Sequence, residues 1–257
     1  RMAEELAESD FKPVAFELGF GGRDGTLPAI TIQEGDATLS VSGKVDRVDG
    51  WLHDGKLYLR VVDYKTGRKS FDLSDVRYGL GIQMLLYLFT LEKEGQSCFG
   101  YPIVPAGVLY HPARDLILKT ERDISPEALR KAMDRELRRD GMVLGDPEVL
   151  RAMEHSALEA PCFLPIQVSK DGGISGGVAT AAQLGRLGQY VEKLLHQITR
   201  ELRQGNIDAD PCWRGPQESA CTYCDFASAC HFQDGQAGDR LRPLKRVKPD
   251  EFWEFVA

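Results

Sequence analysis

Asp46, in the run GKVDRVD, and the triplet Asp63-Tyr64-Lys65, in VVDYKTG, are the residues of this chain whose types and spacing best suit chemistry. Residues two apart in a β-strand point to one face. Asp63 and Lys65 are therefore expected side by side, with Tyr64 turned to the other face. Asp46 joins them if its own strand lies alongside. Two carboxylates and the backbone carbonyl of Tyr64 would make a hard, oxygen-rich pocket, which suits Mg²⁺ or Mn²⁺. An ammonium beside such a pocket can orient an attacking water and offset charge that builds on a phosphate. The chemistry indicated is phosphodiester hydrolysis. Gln83 and Tyr87 lie four apart on an expected helix and share one of its faces. Both are expected to face the sheet edge that carries Lys65 and to position the phosphate there.

The elements that must hold these residues are legible nearby. KLYLRVVDYKTG is rich in β-branched, aromatic and aliphatic residues and closes on Thr66-Gly67, which predicts a strand. ATLSVSGKVDRVDGW reads as its neighbour. A helix is expected from about Leu73 to Glu94, capped by Asp72 or Ser74 and stopped at Glu94-Gly95. It is apolar on nearly all sides and should be buried, so Gln83 needs a hydrogen-bond partner. Val108 to Tyr110 reads as the next strand. Ser125-Pro126 opens a helix, Asp171 to Gly173 turns a hairpin, and a long amphipathic helix ends at Gly205. The fold class expected is α/β, a mixed central sheet flanked by helices. With 257 residues, 42% of them hydrophobic, the chain can bury a sizeable core and is expected to form one domain. Its core should run from about residue 11 to 115, and a C-terminal helical and cysteine-bearing segment from about 178 to 257.

Cys221, Cys224 and Cys230 form a C-x2-C-x5-C pattern, a metal-ligand spacing that suits an iron–sulfur cluster or zinc. Three thiolates are one short of a closed site, with Cys212 and His231 close by. No signal peptide or transmembrane run is legible, so disulfides are not expected and the location expected is cytoplasmic. Gly43-Lys44 lacks the rest of a phosphate-binding loop, so no ATP motor is read here. The glycines from Gly172 to Gly177 read as turns. No H-x-x-x-H pattern or Ser-His-Asp set is present, and Glu17 reads as a strand-edge carboxylate. The net charge of −7 leaves phosphate attraction to local cations. The run Arg240 to Lys248, with Arg200, Arg203 and Arg47, supplies the candidates.

Taken in order, Asp46, then Asp63-x-Lys65 on an apolar strand, then Gln83-x-x-x-Tyr87 resembles the active site of metal-dependent PD-(D/E)XK nucleases. Most of the chain resembles the C-terminal nuclease domain of the B subunit of AddAB-type ATP-dependent helicase–nucleases, bacterial enzymes that process broken DNA ends for recombination. FKPVAFELGFGG resembles the family's opening strand. GKVDRVD, VVDYKTG and GIQMLLYL resemble its nuclease core, and ITRELRQGNIDADPCW with ACTYCDFASACHF its closing segment. The resemblance implies a restriction-endonuclease-like core and DNA exonuclease activity on the 5′-ended strand. It implies catalytic roles for Asp46, Asp63, Lys65, Gln83 and Tyr87, with a divalent metal on Asp46, Asp63 and the Tyr64 carbonyl. It implies a [4Fe–4S] cluster on Cys221, Cys224 and Cys230 with a fourth cysteine from far upstream. The partners implied are DNA, an AddA-type helicase–nuclease subunit and the remainder of the chain's own N-terminal part, with no membrane. RMAEELAES reads as the tail of a helix, so an excised domain is expected, without the upstream cysteine and with an incomplete cluster. The alternative is a structural or DNA-binding module built around a cysteine-bound cluster or zinc, with a weak or silent nuclease site.

Overall fold

The computed structural model describes all residues except 1, 23, 24, 121, 122 and 237. Strands β1 (Lys12–Phe20), β2 (Ile30–Glu34), β3 (Ala37–Val41), β4 (Gly43–His53) and β5 (Lys56–Lys65) follow a short helix α1 (Met2–Ala7). Helices α2 (Leu73–Arg77) and α3 (Gln83–Phe99) lead to β6 (Ile103–Pro112). Then come α4 (Pro126–Glu136), β7 (Asp140–Leu144), α5 (Pro147–Met153), β8 (Ile166–Val168), β9 (Ile174–Gly176) and β10 (Val178–Ala179). The chain closes with α6 (Ala181–Arg203), β11 (Cys212–Trp213), α7 (Ala227–Cys230), β12 (Arg242–Pro243) and α8 (Pro249–Phe255). No helix among the described residues is long and apolar enough to cross a membrane.

Six strands form the central sheet in the order β1-β4-β5-β6-β7-β10. The β1, β4 and β5 neighbours run antiparallel, as do β6 and β7; β5–β6 and β7–β10 are parallel. The sheet is therefore mixed and flanked by helices, as expected. Parallel β5 and β6 need a crossover connection, and α3 supplies it, packing on both. Val61, Val62, Val108 and Leu109 at the sheet centre are buried, and one apolar cluster runs from Phe11 to Phe252. The hairpin at Asp171 to Gly173 is present as β8–β9. Thr180 and Gln183 form a reciprocal capping box at the start of α6.

Two expected elements are split. The stretch ATLSVSGKVDRVDGW breaks at Ser42 into β3, which pairs with β2, and β4, which joins the central sheet. The helix expected over 73–94 stops at Arg77 and restarts at Gln83. Gly79 and Gly81 lie between at φ +76° and +64°, a left-handed backbone that a helix cannot contain and that glycine adopts without strain. The Asp72 cap is present, accepting from Ser74 N–H at 2.7 Å. The second helix then runs on past Gly95 to a left-handed cap at Gly100.

Beneath the sheet face that carries Tyr64 lies a buried ionic network. Asp49, with no exposure, accepts from Arg47 Nε at 2.7 Å and Nη2 at 2.8 Å, and from Arg60 Nε at 3.0 Å. Arg60 Nη2 is 3.7 Å from Glu5 of α1, and Arg139 donates to the same carboxylate. Burial pulls the Glu5 carboxyl upward, but Arg139 and Arg60 outweigh it and its pKa is lowered. His111, whose Nδ1 lies 3.9 Å from Glu5, has its pKa pushed down to about 4 by burial and by Arg139, so it is neutral at physiological pH. Removing one member strands a buried charge. Asp49→Ala should therefore lose about 3–5 kcal/mol of stability in urea denaturation. A loss below about 1 kcal/mol, the scale of an exposed pair, would mean that this clamp does not hold β4 to β5.

Candidate active site

The ends of β4 and β5 bring Asp46 and the Asp63-Tyr64-Lys65 triplet together. Their register runs to Arg47 opposite Val62, which leaves Asp46 beside Asp63. Asp46 Oδ2 accepts a hydrogen bond from the Tyr64 backbone N–H at 3.0 Å. Asp63 is 6% exposed, and the Lys65 ammonium stands 2.5 Å from its Oδ2. The Lys65 ammonium is the partner that the structure gives this oxygen, which is otherwise buried without a hydrogen bond. A buried carboxylate of this kind is a hard oxygen donor and suits a divalent cation. Alternation holds, because the Tyr64 hydroxyl is on the other face, accepting from Arg47 Nη1 at 2.8 Å.

Sequence reasoning missed two residues that the sheet adds. Tyr110 on β6 pairs with Asp63, and Asp140 on β7 pairs with Tyr110. The Lys65 ammonium is 5.9 Å from the Tyr110 ring centroid. Burial, then Asp63 and Asp140, push the Tyr110 phenol up to about 12 and keep it neutral. Burial also raises the Asp140 carboxyl, although the Phe71 and Gly141 backbone N–H groups oppose the shift. The only sequence signal for either was a polar residue at the edge of an apolar strand.

Gln83 and Tyr87 are hydrogen-bonded to each other, Gln83 Nε2 donating to the Tyr87 hydroxyl at 2.6 Å. Contrary to expectation Gln83 is exposed, because the helix break makes it the first residue of α3. Tyr87 is buried, its ring 5.3 Å edge-on from Phe20. It lies over Gly43, where an added Cβ would come 3.2 Å from Tyr87 Cε1 and 2.8 Å from Phe20 Cζ. These contacts place Tyr87 over the start of β4, three residues upstream of Asp46.

Arg47, expected as a phosphate contact, is 1% exposed and engaged by Asp49; its charge is satisfied inside the fold. Arg200 and Arg203 pair with Glu34 and Asp36. In the C-terminal basic run, Arg242 pairs with Asp210, and Arg246 with Glu218. That run ties the closing segment down: Val247 N–H donates to Ser74 Oγ at 3.0 Å and Lys245 N–H to the Tyr78 hydroxyl at 3.1 Å. Glu17 is an exposed edge-strand residue paired with Lys44 at 3.0 Å.

Cys221, Cys224 and Cys230 are exposed and line one shallow pocket with Asp208 and Asp210. Cys212 is engaged in β11, paired with Arg242, and His231 caps α7 in a left-handed conformation. Among the described residues, no group of three or more His, Cys, Asp or Glu side chains is placed to hold a metal ion. The thiols thus do not converge on a ligand set. At the β4–β5 end Asp46 and Asp63 supply two carboxylates, donors of the kind that fits a hard divalent cation completed by water.

A cation that binds only the folded site raises stability by mass action, by about 2.7 kcal/mol at 100 times its dissociation constant. Mn²⁺ should therefore raise the melting temperature of the protein and leave that of Asp63→Ala unmoved. Equal shifts in both would place cation binding elsewhere.

The family profile described as the PD-(D/E)XK nuclease superfamily matches residues 1–231. Proteins named as the B subunit of an ATP-dependent helicase/deoxyribonuclease are similar over nearly the whole chain. One from Acetivibrio thermocellus is 36% identical over 259 residues, covering 100% of this chain and 22% of that protein. One from Clostridium botulinum is 34% identical, covering 99% and 22%. One from Thermoanaerobacter sp. is 32% identical over 261 residues with the same coverage, 99% and 22%. The chain spans about a fifth of the length of these relatives. A match over residues 1–231, on a mixed sheet whose neighbouring strands carry Asp46 and Asp63-x-Lys65, establishes that the chain belongs to the PD-(D/E)XK nuclease superfamily.

Proposed function

We propose that this chain is a metal-dependent DNA exonuclease domain that hydrolyses phosphodiester bonds within a helicase–nuclease, in processing double-strand breaks for recombinational repair. Its partners in this reading are DNA, an A-type helicase–nuclease subunit and the remainder of a longer chain, all in the cytoplasm. The names and lengths of the relatives support the assembly. The observation that carries the chemistry is the buried Asp63 carboxylate, set beside Asp46 by the β4–β5 register and paired with the Lys65 ammonium.

Asp46 and Asp63, with the Tyr64 carbonyl, would hold Mg²⁺ or Mn²⁺. When bound, such an ion polarises the phosphoryl oxygen and lowers the pKa of water. Lys65 holds its proton and donates to the attacking water or to the phosphate oxygen that gains charge. The Gln83–Tyr87 pair fixes the start of β4 and offers an exposed amide to the nucleic acid backbone. Oligonucleotide cleavage with Mg²⁺ and with Mn²⁺ is the test. Asp63→Ala should abolish cleavage with the fold intact. Lys65→Ala should lose about 10²–10³ in kcat while keeping metal affinity, since Lys65 is not a ligand. Wild-type cleavage by Asp63→Ala would put the active site elsewhere.

We further infer that Cys221, Cys224 and Cys230 bind a [4Fe–4S] cluster only together with a fourth ligand from outside this chain. Their spacing and their shared exposed pocket support this. Full-length protein purified without oxygen should carry about four iron and about four acid-labile sulfide per cluster. Stoichiometric zinc without sulfide would overturn the cluster. A loaded cluster without cleavage would instead favour a structural or DNA-binding module.

A further inference from the structure

The sequence directs attention to Arg240 to Lys248, Arg200 and Arg203 as the phosphate track, yet Arg200, Arg203, Arg242 and Arg246 are all engaged by local carboxylates. Arg240, Lys245 and Lys248 of that run have no acidic partner among the described residues, but a second concentration of positive charge lies beside the candidate site itself. A groove of about 400 Å³ opens directly beyond Lys65, between the 67–70 loop and α4. Lys65, Arg68, Lys69, Arg114, Arg135 and Arg138 line it, against the carboxylates of Glu136 and Asp140.

The pairing inside this groove is one-sided. Glu136 alone serves two guanidinium groups, Arg68 at 3.2 Å and Arg114 at 3.5 Å. Arg138 donates to the neutral carbonyls of Pro161, at 2.6 Å, and Ile166, at 3.3 Å, so its charge is uncancelled. Among the described residues, Lys69 and Arg135 are exposed and have no acidic partner. Asp140 is half-buried in the groove wall, where its carboxylate accepts from the Phe71 backbone N–H at 3.2 Å, and burial raises its pKa. Tyr110, which pairs with Asp63 across the sheet, is also in the groove wall, so groove and candidate metal site are continuous.

We propose that this groove is the track along which one DNA strand lies as it meets the Asp46–Asp63 site. The inference rests on the nuclease reading. In an acidic protein, a cationic trough walled by low-dielectric protein concentrates the field on a polyanion. Arginine forks match phosphate oxygens two at a time. Glu136 acts as the internal stand-in: in the free protein it holds Arg68 and Arg114 at the groove, and an arriving phosphate takes its place. The strand passes Lys65 first, which sets the scissile phosphate against Asp63.

The test is fluorescence anisotropy of an end-labelled single-stranded oligonucleotide, in EDTA, across a salt series. Each phosphate contact on a single strand contributes about −0.7 to the slope of log affinity against log salt. The Arg68→Ala/Lys69→Ala/Arg135→Ala variant should therefore bind more weakly and lose about 2 from that slope. Glu136→Gln should bind more tightly, a gain that a damaged fold would not produce. An unchanged affinity and slope in the triple variant would overturn the track. So would their loss in Arg242→Ala/Arg246→Ala instead, or an effect of the triple variant on a duplex of equal length alone. Binding is read without metal, so it stays separate from the nuclease reading, which fails on absent cleavage by the unsubstituted protein.

Discussion

A single buried carboxylate, Asp49, faces two guanidinium groups beneath the sheet, and the seating of β4 on β5 follows from it. A charge taken out of water is tolerated only when it is paired with good geometry. Asp49 meets Arg47 bidentately from its own strand and Arg60 from the next. A slip of one residue would send each of these charges to the opposite face, where the apolar core has no partner for them. The same register leaves Asp46 able to accept the Tyr64 N–H on the site side. The network thus positions the candidate metal ligands without touching them.

The two faces of β5 carry opposite assignments. One holds buried charges set against opposite charges: Arg47 reaches both Asp49 and the Tyr64 hydroxyl, and Arg139 reaches Glu5. The other holds the Asp63–Lys65 ion pair, half-exposed at Lys65, and then the groove in which cations outnumber carboxylates. Matched charge rigidifies, while unmatched charge is available to a ligand. The alternation of a strand places both kinds about 3.3 Å apart along the backbone without mixing them.

The closing segment is anchored to the core by means other than its cysteines. Val247 and Lys245 hydrogen-bond to Ser74 and the Tyr78 hydroxyl, Arg214 pairs with Asp75, and Phe252 is fully buried. All of these reach α2 or the core beside it, so the break at Gly79 and Gly81 has a structural use. It leaves α2 as a separate short helix on which the C-terminal run docks, and it frees Gln83 to open α3 in solvent.

What the sequence determined by itself was local. The residue types and spacing of Asp46, Asp63 and Lys65 lead to the nuclease expectation, because strand alternation and turn signals act over a few residues. The strands bearing them, the mixed α/β class, the hairpin at Asp171 to Gly173 and the helix ending before Gly205 were legible for the same reason. Tertiary structure alone decided which charges are available. Arg47 looks like a phosphate contact until Asp49 and burial remove it, and Arg200, Arg203, Arg242 and Arg246 are cancelled by acids that lie far away in the chain or across a loop. Tyr110, Asp140, Arg135 of α4 and Arg138 come near the candidate site only because β6 and β7 pair beside β5. Burial and ion pairing are set by contacts between residues distant in sequence, and no local pattern carries that information.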